Sequence, residues 1–360
     1  MTGKSKTGWI ILAALMILIK VFSFFPGAVE RFYSRGLYLV FARVLRVIFG
    51  WVPFSVGDII YSCAVAWLIY ALVRFVRRAV RRELQRGWVW KTLRGTIWVM
   101  LVIYVYFNLS WGLNYDRMGI AQQLDLAVKP YSNEELQTLV KITVQKLNAV
   151  DSQAREKRDE LEKNSRLFDG AIESYAQLAL EDGRFQYPAP SVKTSLLGVL
   201  DNYMGFYGYY NPFTGEAQVN TNVPVFTLPF TVCHEIGHQL GYAKENEANF
   251  AGFLSSRSNP DPNFLYSVYF DMYQYAAREL YVRDSTLLVP LREGLHAPIR
   301  KDYRDLIAFN RRYDNLVEPM LRGLYGGYLR ANRQPQGLKT YNEVVAWLIA
   351  YGKKYGWERI

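Results

Sequence analysis

The chain has 360 residues, is 51% hydrophobic and carries a formal net charge of +11. Residues 1–117 hold 16 basic against 4 acidic side chains, and the remainder holds 27 against 28. The basic excess therefore flanks long apolar runs, which excludes a nucleic-acid-binding surface as its purpose and makes a lipid bilayer the expected partner.

Three runs reach the roughly 17–25 apolar residues that a helix needs to cross a bilayer: residues 9–25, 53–73 and 90–112. Trp9, Trp51, Trp88, Trp90 and Trp111 fall near their ends, where amphipathic rings favour the interface. No small-residue cleavage site follows the first run, so it reads as an uncleaved anchor. Between the second run and the apolar part of the third lie Arg74, Arg77, Arg78, Arg81, Arg82, Arg86, Lys91 and Arg94, opposed by Glu83 alone. With Lys4 and Lys6 this predicts a cytoplasmic N-terminus and an extracytoplasmic C-terminal domain. Residues 36–51 would bury Arg43 and Arg46 as a fourth span, so an amphipathic helix lying at the outer interface is expected instead. Asp58, inside the second run, is expected to face a partner helix or the other spans. Cys63 and Cys233 form no disulfide framework.

The domain boundaries that follow are a three-span region over 1–114 and a mainly helical α+β domain with a small sheet over 115–360. Ser132 and Glu135 form a capping box ahead of a helical apolar pattern, and another helix is predicted from Leu167 to Leu180. A Tyr- and Phe-rich stretch with the turn signal "NPFTGE" reads as a hairpin or short strands. Residues 264–284 and 340–356 are helical in pattern, the latter capped by Thr340 and Glu343.

Between these lies "TVCHEIGHQLGYAKENEANF", residues 231–250. On a helix His234 and His238 share one face a turn apart, and can offer imidazole nitrogens to one metal ion at about 2.0–2.1 Å. Glu235 is placed to take a proton from water activated there. A third ligand is needed, and Glu245 and Glu247 are the nearest acids. On an unbroken helix Glu245 would stand about 10.5 Å beyond His238. The helix must therefore end, with Gly241 as a left-handed cap, and a second helix must fold back. Glu245 is preferred over Glu247, because Asn249 one turn later could accept the free ring N–H of His234 or His238.

"HEIGH" followed by "ENEAN" resembles the glutamate-zincin metallopeptidases, whose pattern is HExxH and then a helix with ExxxD or ExxAD. Thermolysin-like enzymes and the CAAX prenyl-protease-like peptidases belong to that class. The resemblance implies a zincin-like domain with one Zn2+ per chain, His234, His238 and Glu245 as ligands, and Glu235 as general base. Asn249 stands where those families carry Asp, and the gap from His238 to Glu245 is short; both are departures. Lys244 in place of a third His speaks against the metzincins. The spans, "YYNPFTGEAQVN" and "YLRANRQPQGLKTYNEVVAWLIAYGKKYG" resemble an uncharacterised bacterial family of membrane-anchored zinc peptidases over nearly the whole chain.

In zincins a strand ahead of the motif helix presents an edge to an extended peptide. That implies Ala217, Val219 and Asn220, within Gly215 to Asn222, as substrate-binding residues, or else an ordinary hairpin strand. His296 is either a donor to the developing oxyanion or a surface histidine. The tyrosines from Tyr203 to Tyr210 line a cleft or fill a core. The expected function is hydrolysis of a peptide or protein substrate by a zinc-activated water. A zinc hydrolase of non-peptide amides, such as cell-wall material, and a membrane scaffold or sensor with a structural zinc are the alternatives.

Overall fold

The computed structural model describes residues 3–315, 323, 327 and 341–360. The chain opens with α1 (Gly3–Ser23), a π-helical turn Val29–Leu37, α2 (Tyr38–Gly50), α3 (Val56–Val80) and α4 (Arg86–Ser110). Within α1, and along α3 and α4, lie three stretches long and apolar enough to cross a membrane, and α3 and α4 leave nearly all of their surface unburied. Outward apolar surface of this extent is compatible with a bilayer, where lipid replaces water.

The helix expected over residues 36–51 forms, but one of its arginines turns inward. Arg43 is exposed, whereas Arg46 is buried and donates to the carbonyls of Ala189 (3.1 Å), Gln239 (3.1 Å) and Pro188 (3.2 Å). Leu39, Val40, Val44, Val47 and Ile48 face outward. A buried guanidinium is tolerable because its donors find carbonyl acceptors.

The next elements are α5 (Asn133–Glu156), α6 (Asn164–Glu181), β1 (Val192–Thr194), α7 (Gly198–Met204), β2 (Gly208–Asn211) and β3 (Glu216–Val219). They are followed by α8 (Leu228–Gln239), α9 (Glu245–Ser258), α10 (Pro262–Arg283), α11 (Ser285–Glu293), α12 (Ala297–Arg312) and α13 (Tyr341–Tyr355). The Ser132–Glu135 capping box closes α5 as its sequence requires. Thr340, the expected cap of α13, lies outside the described residues. α5 packs along α10, and α8 is sandwiched by α6, α9, α10 and the sheet. Phe230, Val232, Cys233 and Ile236 of α8 are all in the core.

The sheet has the order β1-β3-β2, with β1 parallel and β2 antiparallel to β3. This overturns the expected role of Ala217, Val219 and Asn220 as an open edge. β3 is the central strand, and both of its sides are already paired. Ala217 and Val219 are wholly buried, and the Asn220 amide donates to Asn202 Oδ1 (2.6 Å). The strand that keeps a free edge beside α8 is β2.

Packing also runs across the boundary drawn at residue 115. Val29, Tyr33, Tyr38, Ala42, Trp111, Leu113 and Tyr115 share one buried cluster with Tyr210 and Ala243. The N-terminal end of α3 is fixed to the sheet as well. Glu216 of β3 accepts from the backbone N–H groups of Val56 (3.2 Å) and Gly57 (2.8 Å), a carboxylate on the positive end of a helix. Asp58 therefore sits in the first turn of α3 against the sheet, not among the spans, and accepts from the Tyr209 hydroxyl and the Leu196 N–H.

Candidate metal centre

The site is built by the way α8 stops. Gly241 adopts φ +84°, the left-handed geometry that glycine tolerates. Tyr242 N–H donates to Gly237 O (3.2 Å) and Gly241 N–H to His238 O (2.9 Å), the paired bonds of a Schellman turn. A Cβ at residue 241 would stand 2.9 Å from Tyr38 and 3.0 Å from Asn114 Oδ1, so the turn is closely packed as well.

That turn reverses the chain into α9 and brings Glu245 back over α8. Its Oε2 lies 3.4 Å from His234 Nε2, and its Oε1 lies 3.8 Å from His238 Nε2. Two ligands held at about 2.0–2.1 Å in a tetrahedron stand about 3.4 Å apart, so one carboxylate and two imidazoles here fit a zinc-sized ion. The two rings are perpendicular with centroids 4.7 Å apart. His238 Nδ1 meets Tyr242 O at 2.8 Å; a proton on Nδ1 leaves Nε2 as the free lone pair on the Glu245 side.

Glu235 is the second carboxylate of the cluster: His234, Glu235 and His238 bring ligand-type atoms within 4.8 Å of one another. Gly208 of β2 packs on it so closely that an added Cβ would meet Glu235 Oε1 at 2.7 Å. Its Oε2 is buried without a hydrogen-bond donor among the described residues. An acceptor left open in a dry site is what an incoming water or proton would occupy.

The electrostatics separate these groups. Burial raises the Glu235 pKa to about 8, the His234 charge opposing and the Glu245 charge adding to that rise. Burial lowers His238 to about 4. For His234 burial acts against the charged ring, but the Glu245 contact and the charges of Glu235 and Glu245 outweigh it and raise the pKa.

Glu247, the alternative third ligand, points elsewhere. It is buried, its Oε1 accepts from Lys244 Nζ (3.3 Å), and it lies within 3.3 Å of where a Cβ on Gly119 would be. Asn249 lies beside His234 and favours its charged form, but His234 Nδ1 has no partner within bonding distance among the described residues. The Asn249 oxygen accepts instead from the Tyr275 hydroxyl (3.4 Å). His296 is not brought to the site. It is an exposed N-cap of α12 whose ring contacts Asp151 (3.3 Å) and whose backbone N–H donates to Asn148.

Several contributors escaped the sequence reading. Asp271 of α10 is close enough for the His234 charge to act on it, and burial raises its pKa to about 7. The Tyr242 carbonyl orients His238. The C-terminal carbonyls of α8 are closed by residues from the membrane-proximal segments. Trp111 Nε1 donates to His238 O (3.3 Å), Tyr38 to Gln239 O (2.9 Å), and Arg117 to Gly241 O (3.0 Å). Arg117 is itself held by Glu30 (2.8 Å). Cations at a helix C-terminus also suit its dipole. No local motif in the sequence announces such distant donors.

A family model described as "Protein of unknown function (DUF3810)" matches residues 33–349. The chain belongs to that family. The matched stretch contains the segments that close the end of α8 together with His234, Glu235, His238 and Glu245, so both lie within one family unit. No curated protein and no solved structure matches the chain.

Proposed function

We propose that this chain is a membrane-anchored, zinc-dependent peptidase of the glutamate-zincin type, with its catalytic domain on the extracytoplasmic side of a bacterial inner membrane. The observation that carries the reading is Glu245 facing the Nε2 atoms of both motif histidines, with Glu235 alongside, its Oε2 unpartnered among the described residues. His234, His238 and Glu245 would hold the ion. Bound zinc supplies a Lewis acid that polarises a scissile carbonyl and acidifies water.

Glu235 takes the proton of the attacking water and delivers it to the leaving amine. Tyr242 O keeps His238 in the tautomer that presents Nε2. The free edge of β2 holds an extended substrate. The Tyr207–Asn220 backbone bond sets the alternation, so the polar groups of Gly208 and Tyr210 face away from β3. Gly208 lies directly over Glu235, which places that edge beside the reacting groups.

The test is Glu235→Gln in the full chain, assayed with a degenerate peptide library and by metal analysis. The expected outcome is retained zinc near one per chain with peptide hydrolysis abolished. Undiminished hydrolysis would sink the assignment of Glu235, and a wild-type chain that takes up no zinc would sink the reading as a whole.

A further inference from the structure

α7 has its polarity reversed for a helix at a protein surface. Leu196, Val199, Leu200 and Tyr203 recur at the spacing of one helical face, and they are 55%, 60%, 51% and 46% exposed. The polar side chains of the same stretch, Ser195, Asp201 and Asn202, are buried instead. Ser195 donates to Asp201 (2.6 Å), and Asn202 donates to Asn222 O (3.1 Å) while accepting from Asn220 (2.6 Å). A helix in water turns such a pattern the other way round. Exposed residues on this stretch include no charged side chain.

Its position supplies the explanation. The Leu196 N–H donates to Asp58 Oδ2 (2.7 Å), and Asp58 lies in the first turn of the apolar helix α3. α7 therefore starts level with the outer end of a membrane span. Directly after it, Gly205 in left-handed geometry (φ +76°) turns the chain into β2, with three residue steps, at most about 10 Å, from Gly205 to Gly208. The outward apolar face of α2 borders the same level, since Gly50 and Val52 at its end accept from Lys193 of β1.

We propose that α7 lies in the outer leaflet's interface with Leu196, Val199, Leu200 and Tyr203 in the acyl boundary, holding the β2 edge at the bilayer surface. The polypeptide taken by that edge is then one already tethered to the same membrane, with its scissile bond within about 10 Å of the surface. This last step rests on the peptidase reading; the depth of α7 does not.

The test is a nitroxide on Leu200→Cys in the full-length Cys63→Ser chain, reconstituted in phosphatidylethanolamine–phosphatidylglycerol vesicles. Cys233 is wholly buried and spares the label. High collision with oxygen and low collision with a water-soluble nickel chelate is the expected result. Free access to nickel overturns the proposal. So does exclusion of both probes, which would mean that residues 316–340 or a second copy covers the face. In the second arm, Val199→Asp/Leu200→Asp is compared on a peptide library free in solution and the same library lipid-linked in the vesicles. Turnover of the lipid-linked form is expected to fall about tenfold, with the free form unchanged, because the spans still anchor the chain but the β2 edge is no longer held at the depth where the tethered substrate is concentrated. Equal loss on both forms overturns the substrate assignment. No cleavage of either form by the parent chain overturns the peptidase reading and the substrate step with it, while the nitroxide result still decides the depth of α7.

Discussion

Trp111, at the end of the third apolar helix, donates its indole N–H to the carbonyl oxygen of His238 at 3.3 Å. The same residue whose ring faces the candidate metal position thus has its backbone held by the membrane-proximal segment. With Tyr38, Arg46 and Arg117 converging on the same helix end, α8 is finished by side chains that lie 124 to 201 positions away in sequence.

Arg46→Met should destabilise the full chain in detergent by about 1–3 kcal/mol, because the buried carbonyl of Gln239 and the part-buried carbonyls of Ala189 and Pro188 lose a donor. Trp111→Phe should cost about 1 kcal/mol, since Gly241 N–H still serves His238 O. Urea unfolding monitored by circular dichroism checks both. An unchanged midpoint for Arg46→Met would show that this end of α8 does not depend on it.

Metal content should follow the geometry of the three candidate ligands. His238→Ala and Glu245→Ala should each lose zinc, and Glu247→Ala should keep it, since Glu247 is engaged with Lys244. A fragment beginning at Tyr115 should also bind zinc poorly, because it lacks Tyr38, Arg46 and Trp111. Elemental analysis of purified protein settles each case; zinc kept in Glu245→Ala and lost in Glu247→Ala would reverse the assignment.

Gly208→Ala should impair turnover without removing zinc. Its Cβ would crowd Glu235 Oε1 at 2.7 Å and the backbone oxygen of Gln218 at 2.9 Å, so the carboxylate must move. A displacement of that size in a general base costs on the order of a hundredfold in rate. Normal turnover in this variant would mean that Glu235 is free to relax without consequence.

The ion network far from the site should set acid sensitivity. Burial acts to raise the Asp302 pKa, but hydrogen bonds from Arg158, Tyr266 and Arg155 prevail and hold it below its usual value of 3.8. A lowered carboxylate contributes stability that is fully present above about pH 4 and lost as pH falls through the folded pKa. Asp302→Asn should cost about 2 kcal/mol at neutral pH, between the values for surface and buried pairs, and should flatten the loss below pH 4. Denaturation midpoints from pH 2 to 6 measure this, and parallel curves for the two proteins would count against it.

Much of the site was legible because its determinants are local. The spacing of His234 and His238, the stop at Gly241 and the return of Glu245 all follow from helix geometry within a dozen residues. The order of the strands was not legible, because "GEAQVNTN" reads the same at an edge or at the centre of a sheet. Only the three-residue strand β1, drawn from 25 residues upstream, makes β3 central. Arg46 was misjudged for a similar reason: its acceptors are backbone carbonyls some 140 and 190 positions away. Three apolar spans are readable from composition alone, whereas their clamp on the sheet through Glu216 and Asp58 is a tertiary fact.

The convergence of Tyr38, Arg46, Trp111 and Arg117 on one helix end also orders the protein's assembly in time. These donors are synthesised first, and α8 emerges more than a hundred residues later. A chain stalled before insertion has the whole HEIGH motif but nothing to finish the helix that carries it. On the peptidase reading proposed above, hydrolytic competence then waits until these donors and α8 have come together.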